Sequence, residues 1–292
     1  MATTREIRRR IASVKNVAQI TRAVQLVASS KMRRAQERVL ASRPYAEQLT
    51  RLLSRLSAQA ENLDELPLMA RRPVRRVGII LVTPDKGLAG ALSSNTNRRA
   101  GMLAAELRRE HGNPNLPVSF IAVGRKGRDF LVRTHQPLIA EFVRLGDRPS
   151  QADVRAIARA VTDAYLAEEL DQVFLVYPRF VSLMTQTPTT IQLLPVQPPA
   201  QADDTTRVPE YIFEPDATSI FAELLPRYIE TLIYQPLLES VASFYSAQMI
   251  AMRNATDNAT ELLADLTLTY NKARQTAITT QILEIVAGAG AL

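Results

Sequence analysis

Apolar and small side chains fall at Ile7, Ile11, Val14, Ala18, Ala28, Met32, Ala35 and Val39, with polar Thr21 and Gln25 completing the same row. The steps alternate between four and three residues, which puts every member on one stripe of a helix and is the spacing of a coiled-coil seam. The first proline is Pro44 and the first glycine Gly78, so neither common breaker interrupts the opening stretch. One long helix is predicted over residues 1–60. A second row, Val17, Ile20, Val24 and Val27, lies about 100° round the helix. Arg22 is the only charge from Asn16 to Ser30, so this segment is apolar on more than one side.

The C-terminal segment repeats the pattern. Its last proline is Pro236 and its next glycine is Gly288. The row Tyr245, Met249, Met252, Thr256, Ala259, Leu263, Leu266, Tyr270, Ala273 and Ala277 again steps by four and three, with alanines small enough to admit a partner helix. A helix is predicted over 215–290, and about fifty residues at 1.5 Å each give roughly 75 Å, longer than a domain of this size is wide. Its final fifteen residues, Ile278 to Leu292, carry one charge, Glu284. The simplest packing pairs the two ends as an antiparallel coiled coil; separate helices on a larger assembly are the alternative.

Between residues 74 and 196 the period changes. Short β-branched runs, "VGIILV", "VSFIAVG" and "VFLVY", alternate with helical stretches at Arg98 to Glu110 and Ser150 to Glu169. That alternation predicts a small Rossmann-like α/β domain with a mostly parallel sheet. The proline-rich "LPVQPPAQADDTTRVPE", residues 194–210, reads as a connector. The predicted fold is α/β: a long antiparallel coiled coil of N- and C-terminal helices plus the α/β domain.

Composition narrows the chemistry. The chain has no cysteine, which excludes disulfides, thiolate metal sites and thiol switches. Net charge is +7, but residues 1–55 hold thirteen Lys/Arg against Glu6, Glu37 and Glu47, so the other 237 residues sum to −3. A basic helix of this kind is a solvated face or meets nucleic acid, anionic lipid or an acidic protein surface. Nucleic acid is disfavoured because the first fifty residues contain one aromatic, Tyr45. No secretory signal opens the chain, and no run of about eighteen apolar residues predicts a membrane span.

"DKGLAGALSSN", residues 85–95, sits where a phosphate loop would, between a strand and a helix. Gly87 and Gly90 match neither the Walker A spacing nor the three-glycine dinucleotide fingerprint, so a structural turn is expected. The two histidines, His111 and His135, lack ligand or triad spacing. No catalytic, cofactor or metal site is expected, which leaves an α/β nucleotide enzyme without its phosphate loop.

Five fragments in order resemble the gamma subunit of the F-type ATP synthases: "REIRRRIASVKNVAQITRAVQLVASSKMRRAQ" with "RPYAE", "VTPDKGLAGALSSN", "YPRFVSLMTQTPTTIQLLP", "AMRNATDNA", and "YNKARQTAITTQILEIVAGAGAL". The resemblance implies a rotor shaft of paired terminal helices inside a hexamer of alpha and beta subunits, with the α/β domain at the foot beside the epsilon subunit and the c-subunit ring. It implies one copy per complex, peripheral to the membrane through the c ring, on the cytoplasmic face of a bacterial plasma membrane. The role is to couple proton-driven rotation to ATP chemistry on the partners.

The resemblance also implies site residues. Arg274 and Gln275 match positions that hydrogen-bond a catch loop of beta. Lys31, Arg33, Arg34 and Arg38 resemble the basic stretch that faces an acidic beta segment, with solvation alone as the alternative. Val24, Ile282 and Ile285 belong to the hexamer bearing. Asp257 and Asn258 either fix helix pairing or touch a partner. The chain departs from the family pattern at Phe244, Tyr245 and Gln248, where Ser-Glu-His and a nearby arginine are common. It departs again at Gln281, where a glutamate is common, and at Pro178 in "YP". Without cysteines, thiol control as in plant forms is excluded and a bacterial-type subunit is favoured.

Overall fold

A computed structural model describes residues 3–59, 63, 66–197, 214 and 216–289. All but the first four residues of the proline-rich connector, 198–210, and the last residues of the C-terminal tip, 290–292, lie outside the described residues. Two long helices frame the chain, α1 (Thr4–Gln59) of 56 residues and α5 (Ala217–Ala289) of 73. Pro44, Pro226 and Pro236 lie inside them. Each removes one intrahelical donor, yet the helices continue, because tertiary burial of an apolar face holds a helix more firmly than local propensity does.

The chain divides into two compact units, Lys31–Ala247 on the one hand and Met1–Ser30 with Gln248–Leu292 on the other. In the larger unit, β1 (Val77–Val82), β2 (Val118–Val123), β3 (Leu138–Phe142), β4 (Gln172–Phe180) and β5 (Gln186–Leu194) form one sheet in the order β3-β2-β1-β4-β5. The first four are parallel, and β5 runs back antiparallel on β4. α2 (Leu92–Glu110), α3 (Arg125–Arg133) and α4 (Gln151–Leu166) supply the crossovers, Ser150 capping α4 in a reciprocal capping box with Asp153. The three runs read from sequence fall on β1, β2 and β4. β3, β5 and α3 carry no comparable apolar run.

All six residues of β1 are buried, which explains why its sequence is continuously apolar: both faces are covered, as parallel sheets require. Val77, Ile79 and Leu81 meet α2 and α3 through Leu103, Leu107 and Leu131. Ile80 and Val82 turn the other way, into a cluster with Ile157 and Val161 of α4, Leu49, Leu53 and Leu56 of α1, and Phe221, Leu225 and Ile229 of α5. Segments of both long helices are thus part of the α/β core.

In the smaller unit, α1 and α5 run antiparallel. Arg8 pairs with Tyr270, and Thr21 with Thr256, so advancing along one helix means retreating along the other. Ile7, Ala28, Met252 and Ala259 are buried between them. The remaining described seam positions of this unit are half-buried, except Ala277, which is exposed.

Candidate partner-binding surface

The sheet's carboxyl edge is where a doubly wound fold usually holds a ligand. Here the loop after β1 carries Leu88 and Gly90 at positive φ, the structural turn expected from its glycine spacing. Gly124, at φ 95°, closes β2 so tightly that a Cβ would sit 1.8 Å from the Thr83 carbonyl oxygen. Thr83 in turn accepts a 2.7 Å hydrogen bond from the Gly127 amide, fixing α3 against β1. Leu237, Val241, Phe244 and Tyr245 of α5 then fill the crevice, leaving a cavity of about 60 Å³, far below the roughly 300 Å³ at which ligand pockets begin. One of the chain's own long helices stoppers the crevice.

Around that stopper, charge converges on one loop residue. The Lys31 ammonium reaches Asp147 Oδ2 at 2.6 Å and the Tyr245 hydroxyl at 3.3 Å, and lies 5.3 Å from the Tyr245 ring centroid. Arg38 donates to the Asp147 carbonyl at 2.9 Å, and Lys86 stands 3.7 Å from Asp147 Oδ1. Partial burial alone would raise the Asp147 carboxyl, but hydrogen bonds from Lys31 and Tyr245 and the charge of Lys86 outweigh it and hold the group below the ordinary carboxylate value. Burial, reinforced by the neighbouring Asp147 carboxylate, pushes the Tyr245 phenol well up.

The expected site residues separate into two sets. Lys31 and Arg38 are half-buried and engaged on Asp147, whereas Arg33 and Arg34 are exposed on α1. Val24 is half-buried in the smaller unit. Arg274 and Gln275 are exposed on α5. Beyond them Ile278, Ile282, Leu283, Ile285 and Val286 are between 46% and 70% exposed, a concentration of apolar surface that soluble proteins rarely leave uncovered. Three members of the second apolar row on α1, Val17, Ile20 and Val27, are likewise exposed, and the fourth, Val24, is the half-buried one. Asp257 lies 4.0 Å from Arg253 one turn earlier, and both are well exposed. Asp147 was missed by sequence reasoning, since nothing local marks a loop aspartate 116 residues from its lysine.

Known proteins agree with this architecture. The family model described as ATP synthase matches residues 3–292. ATP synthase gamma chains from Dehalococcoides mccartyi strain CBDB1 and Desulfitobacterium hafniense strain DSM 10664 / DCB-2 are 47% and 49% identical, each aligned over 100% of both chains. A chain of the Tetrahymena thermophila mitochondrial ATP synthase central stalk and c-ring structure is 25% identical with a TM-score of 0.59, covering 81% of this chain and 99% of that one. A chain of a Euglena gracilis mitochondrial ATP synthase structure, at 19% identity, shares the fold with a TM-score of 0.64 over 99% of this chain and 94% of its own length. Two long antiparallel helices with an α/β body are the build of a rotary central-stalk subunit. The chain belongs to the ATP synthase gamma-chain family.

Proposed function

We propose that this chain, the central-stalk subunit of a bacterial ATP synthase, is the rotor that couples proton-driven turning of a c-subunit ring to ATP synthesis and hydrolysis on the beta subunits of an alpha/beta hexamer. The ATP chemistry belongs to those partners. The observation that carries the reading is the exposed apolar end of α5, Ile278 to Val286, a concentration of apolar surface of the kind that marks a partner interface. A shaft whose faces differ contacts three otherwise equivalent partners differently, and differential contact is what shifts each between nucleotide-binding states. Arg274 and Gln275 meet a beta catch loop, the planar guanidinium suiting a carboxylate. Arg33 and Arg34 face an acidic beta segment, to which Lys31 and Arg38 add positive potential. Val24, Ile282 and Ile285 slide in the bearing.

The α/β unit meets epsilon and the c ring, so the subunit is peripheral, at the cytoplasmic face of the plasma membrane, one copy per complex. Among the described residues no helix is long and apolar enough to cross a membrane. The test is reconstitution. The purified chain alone should hydrolyse no ATP, and adding it to alpha and beta subunits should restore hydrolysis and, with the membrane sector, ATP-driven proton pumping. ATPase activity of the isolated chain, or no restoration, would overturn the reading.

A further inference from the structure

The loop 143–149 between β3 and α4 is held by α1 at one residue, and α5 joins the same network through Lys31. Asp147 accepts from Lys31 of α1 through its carboxylate and from Arg38 of α1 through its carbonyl, while the Tyr245 hydroxyl of α5 accepts a 3.3 Å hydrogen bond from the same Lys31 ammonium. Lys31 and Arg38 are seven residues apart, two turns along one helix face, so α1 holds the loop at two points. Arg144 and Gly146 adopt positive φ, which folds the loop into the tight shape that presents both the Asp147 carboxylate and its carbonyl. Ala35, Val39, Leu238 and Ala242 are buried together beside it, packing α1 on α5. The hydrophobic driving force behind that packing is non-directional, whereas short charge-assisted hydrogen bonds have fixed direction.

We propose that Asp147 is a positioning residue for rotary coupling, a polar anchor that works beside the shared apolar core in passing twist carried by α1 and α5 to the sheet of the α/β body. The inference rests on the rotor reading and assigns part of the basic stretch, Lys31 and Arg38, to an internal grip. Tyr245, one of the departures from the family pattern, supplies the α5 contact. With the carboxylate neutralised, Lys31 loses its ion pair, and the loop gives way when the helices are twisted against a resisting ring. The defect therefore scales with load and spares unloaded hydrolysis, whereas a loss of folding or assembly lowers hydrolysis and pumping together.

The experiment uses the assembled ATP synthase in inverted membrane vesicles, comparing ATP hydrolysis with ATP-driven proton pumping. Asp147→Asn should leave hydrolysis without a gradient close to the parent rate and lower protons pumped per ATP by about threefold, the deficit growing as an imposed opposing gradient rises. Asp147→Glu should recover part of the loss. Tyr245→Phe removes one hydroxyl and should move the ratio the same way by less, and it decides the matter if Asp147→Asn does not assemble. A pumping-to-hydrolysis ratio equal to that of the parent at every gradient, in whichever of these variants assembles, overturns the anchor. Failure of the unmodified chain to restore pumping to a complex lacking its gamma chain overturns the rotor reading instead.

Discussion

The Arg8 guanidinium on α1 donates a 2.7 Å hydrogen bond to the Tyr270 hydroxyl on α5 and lies 5.6 Å from the centroid of the same ring. One tyrosine thus holds the start of the chain by its rim and by its face. At so exposed a site a cation–π contact contributes about 0.5–1 kcal/mol, as does a neutral hydrogen bond. Tyr270→Phe keeps the ring and drops the hydroxyl; Tyr270→Leu drops both. Amide exchange in residues 5–12 should accelerate about twofold in the first variant and about fivefold in the second. Equal exchange in both would assign the effect to the hydroxyl alone.

Gly124 makes a harsher prediction. Its φ of 95° is strained for any side chain, and the added methyl of alanine would lie 1.8 Å from backbone oxygen, where no rotamer change relieves the clash. Gly124→Ala should destabilise the α/β unit by roughly 3 kcal/mol or more, read as a lowered melting temperature. Gly101, with nothing within 4 Å of its added Cβ, is the control and should tolerate alanine.

Much of this architecture is legible in the sequence, because coiled-coil seams and buried strands announce themselves by period. From Ile7 to Val39 every predicted seam residue is buried or half-buried, while Val17, Ile20 and Val27 of the second row are exposed. β3 is not legible: it is an edge strand whose residues alternate between half-buried and exposed, so it lacks the continuous apolar run that marks β1. Nor is the division of labour within each long helix, since Leu49 and Leu53 look like any other seam residues until the sheet they cover is present. Lys31 shows the limit for the site. It reads as one more member of a basic run with Arg33 and Arg34, and only its seven-residue spacing from Arg38 hints at a shared inward duty. Asp147, its partner, is set by the tertiary fold alone.

Glu239 predicts a pH dependence. Burial raises its carboxyl above the ordinary glutamate value, against the opposing effects of the Phe180 amide, 3.4 Å away, and the charges of Arg179 and Arg43. Tyr177 beside it is pushed to about 12 by burial and by that carboxylate. A folded-state pKa above the unfolded one means that the folded chain binds the proton more readily. Its contribution is complete below the ordinary glutamate value and is lost as pH rises through the raised folded value. Asp147 has the opposite sign, its lowered pKa contributing stability that disappears as pH falls through the folded value. Glu239→Gln keeps an acceptor for Phe180 without the buried charge. It should melt above the parent at pH 8, with the gap narrowing toward pH 5; a gap that widens on acidification would reverse the assignment.

The last prediction concerns the exposed end of α5, where polar and apolar residues have separable duties. Arg274 and Gln275 stand in water on the helix surface, so nothing within the described chain requires them. Arg274→Ala should leave folding and assembly intact and lower ATP synthesis and hydrolysis by about tenfold or more, the scale of one lost charge-assisted hydrogen bond. Ile282→Asp with Ile285→Asp acts differently. Two carboxylates on side chains 55% and 70% exposed cost the isolated chain little and should reduce its self-association, yet inside an apolar sleeve they must be desolvated without partners. The double variant should therefore be the more soluble chain and the poorer component, with weaker retention in the complex and activity reduced in proportion to occupancy. Undiminished activity of the double variant would mean that no apolar socket encloses this end of the helix.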